Sequence, residues 1–163
     1  SGASVRLRPA TAEDENRILE WQRSPGVRRF ARNPDVPDAA THAAWMKATL
    51  NDPEILLNII ECEGRAVGLL RLDRRPDRGS LPAFEVSILV APDRNRAGIG
   101  KAGLALARRL IPGAVFFAAI HRDNRLSLSL FAGAGYIEDG AWYLSWPAGS
   151  PTEDVAVRGK MHG

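Results

Sequence analysis

The chain has 163 residues, of which 45% are hydrophobic and 25% are charged, and its formal net charge is +3. This length and composition are typical of one globular domain with its own core, and they exclude a disordered chain. We expect a single domain over residues 3–163. Ser1-Gly2 is typical of a remnant of an expression vector, and residues 147–163 are expected to form a loosely ordered tail.

The composition also bears on location and partners. No apolar run approaches the ~20 residues that a membrane span needs, and the first residues show no secretory pattern. The single cysteine, Cys62, has no partner for an internal disulfide. A cytoplasmic location is therefore predicted. We expect no membrane partner and no metal site, and we leave a homodimer open.

A cluster of arginines lies between positions 71 and 78. Asp73 and Asp77 interrupt it, and no aromatic residues are interleaved. A nucleic-acid surface needs a basic face with stacking side chains or a known binding module. We therefore expect a solvated loop and no nucleic-acid partner. The four residues are Arg71, Arg74, Arg75 and Arg78.

The chain begins with a predicted strand and a predicted helix. Residues 5–8 alternate between apolar and polar and stop before Pro9, which favours a short strand. Thr11 is expected to cap the helix that follows, with acidic residues in its first turn. Pro25-Gly26 is expected to end this helix, and a loop is predicted over residues 27–34.

A second helix and a hairpin follow. Asp38 or Thr41 is expected to cap the helix, which the segment 51–53 ends. Residues 55–61 form a continuous apolar run, as in a strand buried on both faces. The tight turn 63–65 joins this run to a second one at 66–72, which predicts a β-hairpin.

The second half of the chain alternates strands with helices. A polar loop over residues 74–82 and a strand over 84–90 are predicted first, then a helix over 99–111 with apolar residues on one face. A buried strand over 114–120 comes next. The segment 124–134 is ambiguous, because it alternates like a strand but has helix-capping residues at both ends. Two closing strands are expected, at 136–139 and 142–146.

The glycine-rich stretch 90–103 joins a predicted strand to a predicted helix. Such a turn presents unpaired backbone N–H groups at the positive end of the helix dipole, an arrangement that favours a phosphate. Arg94, Arg96 and Lys101 add positive charge beside it. The stretch is therefore a candidate cofactor loop. The alternative is an ordinary turn before a surface helix.

One interpretation of this stretch is a dinucleotide site. Gly98, Gly100 and Gly103 match the dinucleotide-binding pattern, and Asp123 lies 20 residues further on. Against this, seven residues separate the strand from Gly98, and the upstream strands form a hairpin rather than crossover units. An NAD(P)-binding enzyme is thus the less favoured alternative. A nucleotide P-loop is less favoured still, because Ala102 stands where Ser or Thr would bind Mg²⁺.

Residues 90–101 resemble the pyrophosphate loop of the GNAT superfamily of acetyl-CoA-dependent N-acetyltransferases, (Arg/Gln)-x-x-Gly-x-(Gly/Ala) after a strand ending in Val-x-Pro. A second motif of that family, Asn-x-x-(Ala/Ser)-x-x-Leu and then Gly-(Phe/Tyr), is matched at Asn124, Ser127, Leu130 and Gly135-Tyr136. The resemblance covers nearly the whole chain and implies that the ambiguous segment is a helix. It also implies an α/β, GNAT-like fold: a mixed, partly antiparallel central sheet of about seven strands, flanked by about four helices.

The resemblance implies acetyl-CoA as co-substrate. Its pyrophosphate would lie on the glycine loop, and its pantetheine arm would lie between the strands 84–90 and 114–120, in contact with Asn124. A backbone N–H within residues 88–90 would meet the oxyanion. The implied cofactor residues are Ile88, Leu89, Val90, Arg94, Asn95, Arg96, Ala97, Gly98, Ile99, Gly100, Lys101 and Asn124.

Two residues depart from the family pattern. Asn95 stands where Arg or Gln is usual, so the phosphate grip would depend on backbone N–H groups, Arg94 and Arg96. Phe131 stands where many members carry the Tyr that protonates the leaving thiolate. A thiol of pKa ~8.5 still leaves tolerably as its anion near neutral pH, so activity is expected without that Tyr.

Acetyl transfer to an amine needs the amine neutral and held against the thioester. Glu85, four residues ahead of Leu89, has a position that some family members use for the base. His121, at the end of the next strand, is an alternative base, and Tyr143 is a more distant candidate for the acid. An exposed strand glutamate and a solvated loop histidine are the structural alternatives.

The amino-terminal part resembles two branches of the family. One acetylates nucleotide-linked amino sugars in pseudaminic-acid-type pathways, and the other acetylates the α-amine of ribosomal proteins. We favour a small-molecule amine, with the amino-sugar nucleotide as the named candidate. A ribosomal-protein-type N-terminal acetyltransferase and a CoA-binding domain without catalysis remain alternatives. The predicted substrate-binding residues are Trp21, Arg28, Arg29, His42 and Trp45. The structural alternative is that the tryptophans belong to the core and the arginines to the surface.

Overall fold

The computed structural model describes residues 4–31, 33, 35–94, 98–138 and 143–146. This part of the chain forms seven strands, five α-helices and two short 3₁₀ helices. The strands are β1 (Val5–Pro9), β2 (Ile55–Cys62), β3 (Arg65–Arg78), β4 (Leu81–Val90), β5 (Val115–Ala119), β6 (Ile137–Glu138) and β7 (Tyr143–Trp146). The helices are α1 (Glu15–Gln22), α2 (Pro25–Arg28), α3 (Ala39–Asn51), α4 (Ile99–Leu110) and α5 (Arg125–Gly133), and the 3₁₀ helices are Ala12–Asp14 and Pro92–Arg94.

The strands hydrogen-bond in the order β1-β2-β3-β4-β5-β7-β6. β1 is antiparallel to β2, and β7 is antiparallel to both β5 and β6. β4 and β5 are parallel, with Ala83 opposite Val115, so the connection between them must cross over, and α4 lies in that connection. The predicted fold class, a mixed and partly antiparallel α/β sheet, is confirmed.

The internal contacts divide the chain into two compact units. The first contains Ser1–Arg71 and Ile88–Gly100, and the second contains Leu72–Ser87 and Lys101–Gly163. A single domain over residues 3–163 stays a prediction.

The core of the first unit joins α1 and α3 to β2 and β3. Ile18 of α1, Met46 of α3 and Ile59 of β2 are almost completely buried in one apolar cluster. Burying a side chain of this size stabilises the fold by about 1.5–3 kcal/mol relative to leaving it exposed. Helix α1 therefore has a fixed place in this unit.

The core of the second unit is built around β5. Val115, Phe116 and Phe117 are all buried, as expected for a strand covered on both faces. Phe116 stacks on Phe84 of β4 with ring centroids 6.1 Å apart, and Phe117 belongs to a cluster with Ala83.

Several local signals are confirmed. Thr11 forms a capping box with Asp14, and Asp38, not Thr41, caps α3 by accepting from the Thr41 N–H at 2.7 Å. Glu63 and Gly64 both have positive φ, which is typical of the type I′ turn of a tight hairpin.

The polar loop predicted over residues 74–82 is wrong. β3 continues to Arg78 and β4 begins at Leu81, so these residues form a long hairpin. The arginines of this hairpin contact aromatic rings within the second unit. An arginine can lie over a ring and still keep its guanidinium group in contact with water. Arg74 lies over the Phe84 ring at 5.3 Å, and Arg78 lies over the Phe117 ring at 4.7 Å.

The loop predicted over residues 27–34 is wrong at its start. Pro25 does not end a helix but begins α2, at the first helical position, where a missing N–H costs nothing. The described part of the chain therefore has five α-helices instead of about four. The other predicted elements agree with the structure to within a few residues. The predicted tail, 147–163, and Trp142 lie outside the described residues.

Candidate functional site

The end of β4 leads through a turn into α4. The Ala91 N–H donates to the Val67 carbonyl at 2.8 Å, and the 3₁₀ turn closes with a bond from the Arg94 N–H to the Ala91 carbonyl at 2.8 Å. Gly98 has φ +76°, which favours glycine, and α4 begins directly after it. The strand–turn–helix arrangement predicted from the sequence is therefore present. Asn95, Arg96 and Ala97 lie outside the described residues.

The first turn of α4 has the geometry of an anion site. Its backbone N–H groups have no partner inside the helix, and the twelve-residue helix places the positive end of its dipole there. Ile99 and Gly100 are buried, which fixes the start of the helix, and Lys101 is exposed beside it. A phosphate group suits this position.

A close backbone approach fixes the end of β4. A Cβ atom added to Gly68 of β3 would lie 2.6 Å from the Leu89 carbonyl oxygen and 3.4 Å from the Val90 Cα. Only glycine fits there. Because a trans peptide holds its carbonyl and its N–H on opposite sides, the Val90 N–H points away from Gly68.

Gly68 was not among the predicted site residues. Its signal in the sequence is a glycine inside an apolar strand, a position that often marks a close approach of another backbone. The approaching segment, Leu89-Val90, is the one predicted to contact the thioester.

Glu85 lies on β4 and is paired with Arg75 of β3. Its Oε1 accepts from Arg75 Nη2 at 3.0 Å and from Nε at 3.2 Å, and its side chain is 12% exposed. It is therefore a held carboxylate and not the freely exposed strand glutamate of the structural alternative.

His121 follows β5 and is largely exposed. Its Nδ1 accepts from the Asp123 backbone N–H at 3.1 Å. In the neutral imidazole that uses Nδ1 in this way, Nε2 carries the proton and is a donor.

The second family motif lies at the start and end of α5. Asn124 caps the helix, with Oδ1 accepting from the Ser127 N–H at 3.2 Å, so its side-chain NH₂ group is the part suited to a ligand. Phe131 is buried and packs edge-on against Tyr136 with ring centroids 4.9 Å apart. The helix predicted from the motif is confirmed.

Most of the predicted substrate-binding side chains have contacts within the fold. Arg28 donates to Gln22 Oε1 at 2.8 Å, and Arg29 lies over the Phe30 ring. His42 is buried with Nε2 3.0 Å from the Glu15 carbonyl oxygen, and it stacks on Trp45. Trp45 in turn packs against the core of the first unit.

Trp21 has a different position, because it lines a cavity of about 450 Å³ in the first unit. This space lies between α1, the start of β3 and the residues that follow β4. Its walls are formed by Arg17, Glu20, Trp21, Ser24, Arg65, Ala66, Ala91, Pro92, Asp93 and Arg94.

None of the described helices is both long and apolar enough to cross a membrane. Within the described residues, no three or more His, Cys, Asp or Glu side chains come together as a metal site would require.

The fold is that of solved N-acetyltransferases. An AAC(6')-Ib structure with ribostamycin and coenzyme A is 16% identical and has a TM-score of 0.78, over 88% of this chain and 93% of that one. Spermidine N-acetyltransferase from Vibrio cholerae, with CoA and spermine, is 13% identical with a TM-score of 0.75, over 88% and 95%. Mycobacterium smegmatis RimJ, with CoA-disulfide, is 20% identical with a TM-score of 0.71, over 88% and 82%. At these identities the likeness shows the fold.

The family follows from the sequence itself. The profile of the acetyltransferase (GNAT) domain matches residues 4–137, which include the glycine turn and α5. The chain belongs to this acetyltransferase (GNAT) family, and its class of enzyme is N-acetyltransferase. A search of curated proteins finds no match.

Proposed function

We propose that the chain transfers an acetyl group from acetyl-CoA to a primary amine by direct attack. The observation that carries the proposal is the strand–turn–helix arrangement at the end of β4, where the positive end of α4 follows the left-handed Gly98. It suits the diphosphate of a cofactor. The solved relatives named above contain CoA species, which supports the same cofactor for this chain.

The cofactor would be held from both ends of this arrangement. The N–H groups at the start of α4 would bind the pyrophosphate, and residues 88–90 would lie along the thioester end of the arm. The Asn124 NH₂ group would donate to the arm. The proposed cofactor residues are Ile88, Leu89, Val90, Arg94, Asn95, Arg96, Ala97, Gly98, Ile99, Gly100, Lys101 and Asn124.

Direct attack requires three things of the protein. The amine must be held against the thioester, it must lose a proton, and the tetrahedral oxyanion must meet a donor. We assign the donor to the Val90 N–H, because the Leu89 carbonyl is turned toward Gly68 and the Val90 N–H points the other way. Collapse of the intermediate then expels the CoA thiolate, which needs no acid where Phe131 replaces Tyr.

Glu85 is the proposed base. It precedes Leu89 by four residues, which is about 13 Å along an extended strand, so the proton would have to reach it along a chain of several water molecules. The two bonds from Arg75 keep its carboxylate in one orientation. His121 is the second candidate, and it would have to give up its bond to the Asp123 N–H.

The acceptor is proposed as a small-molecule amine. Two of the solved relatives contain such amines, ribostamycin and spermine. A nucleotide-linked amino sugar remains the named candidate, on the amino-terminal pattern that includes Trp21. A protein N-terminus is the alternative acceptor.

Ligand binding tests the cofactor. Thermal shifts with acetyl-CoA, CoA, NAD and NADP should show stabilisation by the two CoA species only. Stabilisation by NAD or NADP without CoA would overturn the proposal. Release of free thiol should then be measured with glucosamine, a UDP-linked amino sugar, spermidine and a short peptide. Binding without thiol release from any of them would identify a CoA-binding domain without catalysis.

The variant Glu85→Gln tests the base. It should lower kcat by about 10²-fold at neutral pH and by less at pH 9, where more of the amine is already neutral. The matched control is Glu54→Gln, an exposed glutamate in the turn before β2, which should keep the parent pH–rate profile. An unchanged profile in Glu85→Gln would remove Glu85 from this role.

A further inference from the structure

The cavity beside α1 has the features of a ligand site, and we call it the α1 cavity. Its volume of about 450 Å³ lies within the usual range for small-molecule pockets. Arg17 and Trp21 come from α1, Arg65 is the first residue of β3, and Arg94 follows β4. Three separate elements therefore each contribute one arginine to its lining.

Among the described residues, the ion pairs of Arg17 and Arg94 at the cavity are shared or long. Glu20 and Asp93 also line it, and Arg17 shares the carboxylate of Asp14 with Arg8. The contact between Arg94 Nε and Asp93 Oδ2 is 3.9 Å long, and both side chains are exposed to solvent. An ion pair of this kind contributes little. A ligand anion would therefore compete only with weak or shared ion pairs for these arginines.

Arg17 is held by a buried neighbour. Its Nη1 lies 3.5 Å from Asp14 Oδ1, and Asp14 is only 2% exposed. Asp14 is fixed in turn by two bonds from Arg8, at 2.9 and 2.8 Å, and by the Thr11 N–H. Ordering a long side chain on binding costs free energy. This cost is smaller for Arg17, because its contact with Asp14 already restricts the side chain before a ligand binds.

The rest of the wall suits an organic ligand. Trp21 belongs to the buried core of the first unit and gives the cavity a rigid aromatic surface. The Ser24 hydroxyl donates to the Trp21 carbonyl at 2.9 Å. A guanidinium group recognises a carboxylate or a phosphate through paired N–H donors, and an aromatic wall covers the carbon skeleton attached to it.

We infer that the α1 cavity binds an anionic group, a carboxylate or a phosphate, carried by the acceptor amine. The inference rests on the proposed function and names its substrate class. Ala91 lines the cavity, and the preceding residue, Val90, holds the proposed oxyanion donor. An acceptor anchored in the cavity by its anion is thus bound next to the end of β4. Glu20 and Asp93 suit its positively charged amine before deprotonation.

A competing assignment gives the cavity to the phosphates of CoA, because Arg94 belongs to the proposed cofactor loop. The two assignments differ in which Michaelis constant the arginines control. For an acceptor site, replacement of Arg17 or Arg65 raises KM for the acceptor. For a cofactor site, it raises KM for acetyl-CoA.

Matched amine pairs test the inference. Glucosamine 6-phosphate is compared with glucosamine, and 4-aminobutyrate with butylamine, at saturating acetyl-CoA. At least one anionic member should exceed its partner in kcat/KM by about 10-fold or more, the effect of one charge-assisted contact. The phosphate pair and the carboxylate pair distinguish the two anions. Equal kcat/KM within both pairs, with CoA released, would overturn the inference and leave the proposed function standing. CoA released from no amine would overturn the function as well.

Variants locate the effect. Arg17→Ala and Arg65→Ala should each reduce the anionic preference by about 10-fold. Arg109→Ala, an exposed arginine in the last turn of α4, is the control and should keep it. Arg65 is exposed at the start of a strand, so its variant is informative even where Arg17→Ala loses stability. A preference unchanged in Arg65→Ala, or a raised KM for acetyl-CoA, would overturn the assignment.

Discussion

Strand β4 is held by different contacts at its two ends. At its start, side chains of β3 hold it, as Arg75 pairs with Glu85 and Arg74 lies over the Phe84 ring. At its end, the backbone of β3 at Gly68 approaches the Leu89 carbonyl. Long side chains adjust when a partner changes, whereas two backbones in contact do not. The end of β4, where we place the reaction, should therefore tolerate substitution far less than its start.

The largest effect is expected from Gly68→Ala. The new Cβ would lie 2.6 Å from the Leu89 carbonyl oxygen, so the peptide that carries the Val90 N–H must move. Loss of one oxyanion donor costs about 10²–10³-fold in kcat. We expect a loss of that size in steady-state assays of the folded variant.

Gly26→Ala is the control for this variant, because a Cβ there meets nothing within 4 Å. Acetyl-CoA binding, measured by calorimetry, separates a displaced donor from an unfolded protein. A Gly68→Ala protein that keeps the parent kcat would show that the end of β4 adjusts as easily as its start, and it would remove the Val90 N–H from the mechanism.

The next effect tests whether the burial of an ion pair determines how much stability is lost when its aspartate is replaced. The side chain of Asp14 is 3% exposed and paired with Arg8, whereas the side chain of Asp77, paired with Arg74 in the β3–β4 hairpin, is 52% exposed. Asp14→Asn should lower the free energy of unfolding by about 1.5–3 kcal/mol, since it weakens charge-assisted bonds to a buried group. Asp77→Asn should cost at most about 1 kcal/mol. Urea denaturation at pH 7 measures both.

The Asp14 effect should depend on pH. The Arg8 guanidinium holds the pKa of Asp14 below its ordinary value of 3.8. A carboxyl with a depressed folded-state pKa stabilises the fold above that ordinary value, and the contribution is lost as the pH falls through the folded-state pKa. The difference between the parent and Asp14→Asn should therefore be full at pH 7 and shrink below about pH 4. A constant difference down to pH 2 would contradict this origin.

The same contrast explains what the sequence could predict. The glycine turn before α4 and the Asn124 cap are local features, so a short stretch of residues is enough to indicate them. The β3–β4 hairpin was missed because Arg, Asp, Pro and Gly are typical of loops. What makes residues 74–82 a hairpin is contact with rings far along the chain, such as the contact of Arg78 with Phe117.

The candidate site also has a part that a local sequence pattern indicates and a part formed by residues distant in the sequence. A pattern in one stretch led to the cofactor loop, whereas the α1 cavity combines Arg17 with Arg65, two residues from elements that a sequence pattern does not pair. For His42 and Trp45, the same spacing on a helix serves a core contact or a ligand contact, and the sequence pattern does not distinguish the two. The glycine at position 68 indicates a close backbone approach, but the sequence does not show which strand makes it.

The smallest effect is expected in the hairpin itself. Arg78→Met keeps a long stem over the Phe117 ring and removes the charge that lies 4.7 Å from its centroid. A cation–π contact at a partly exposed site contributes about 0.5–1 kcal/mol, so loss of this contact should lower the free energy of unfolding by about that amount, and kcat should not change. Arg109→Met, on an exposed helical position, is the control. A loss above about 2 kcal/mol, beyond the usual size of such a contact, would mean that the start of β4 is held as tightly as its end, and the distinction between the two ends would fail.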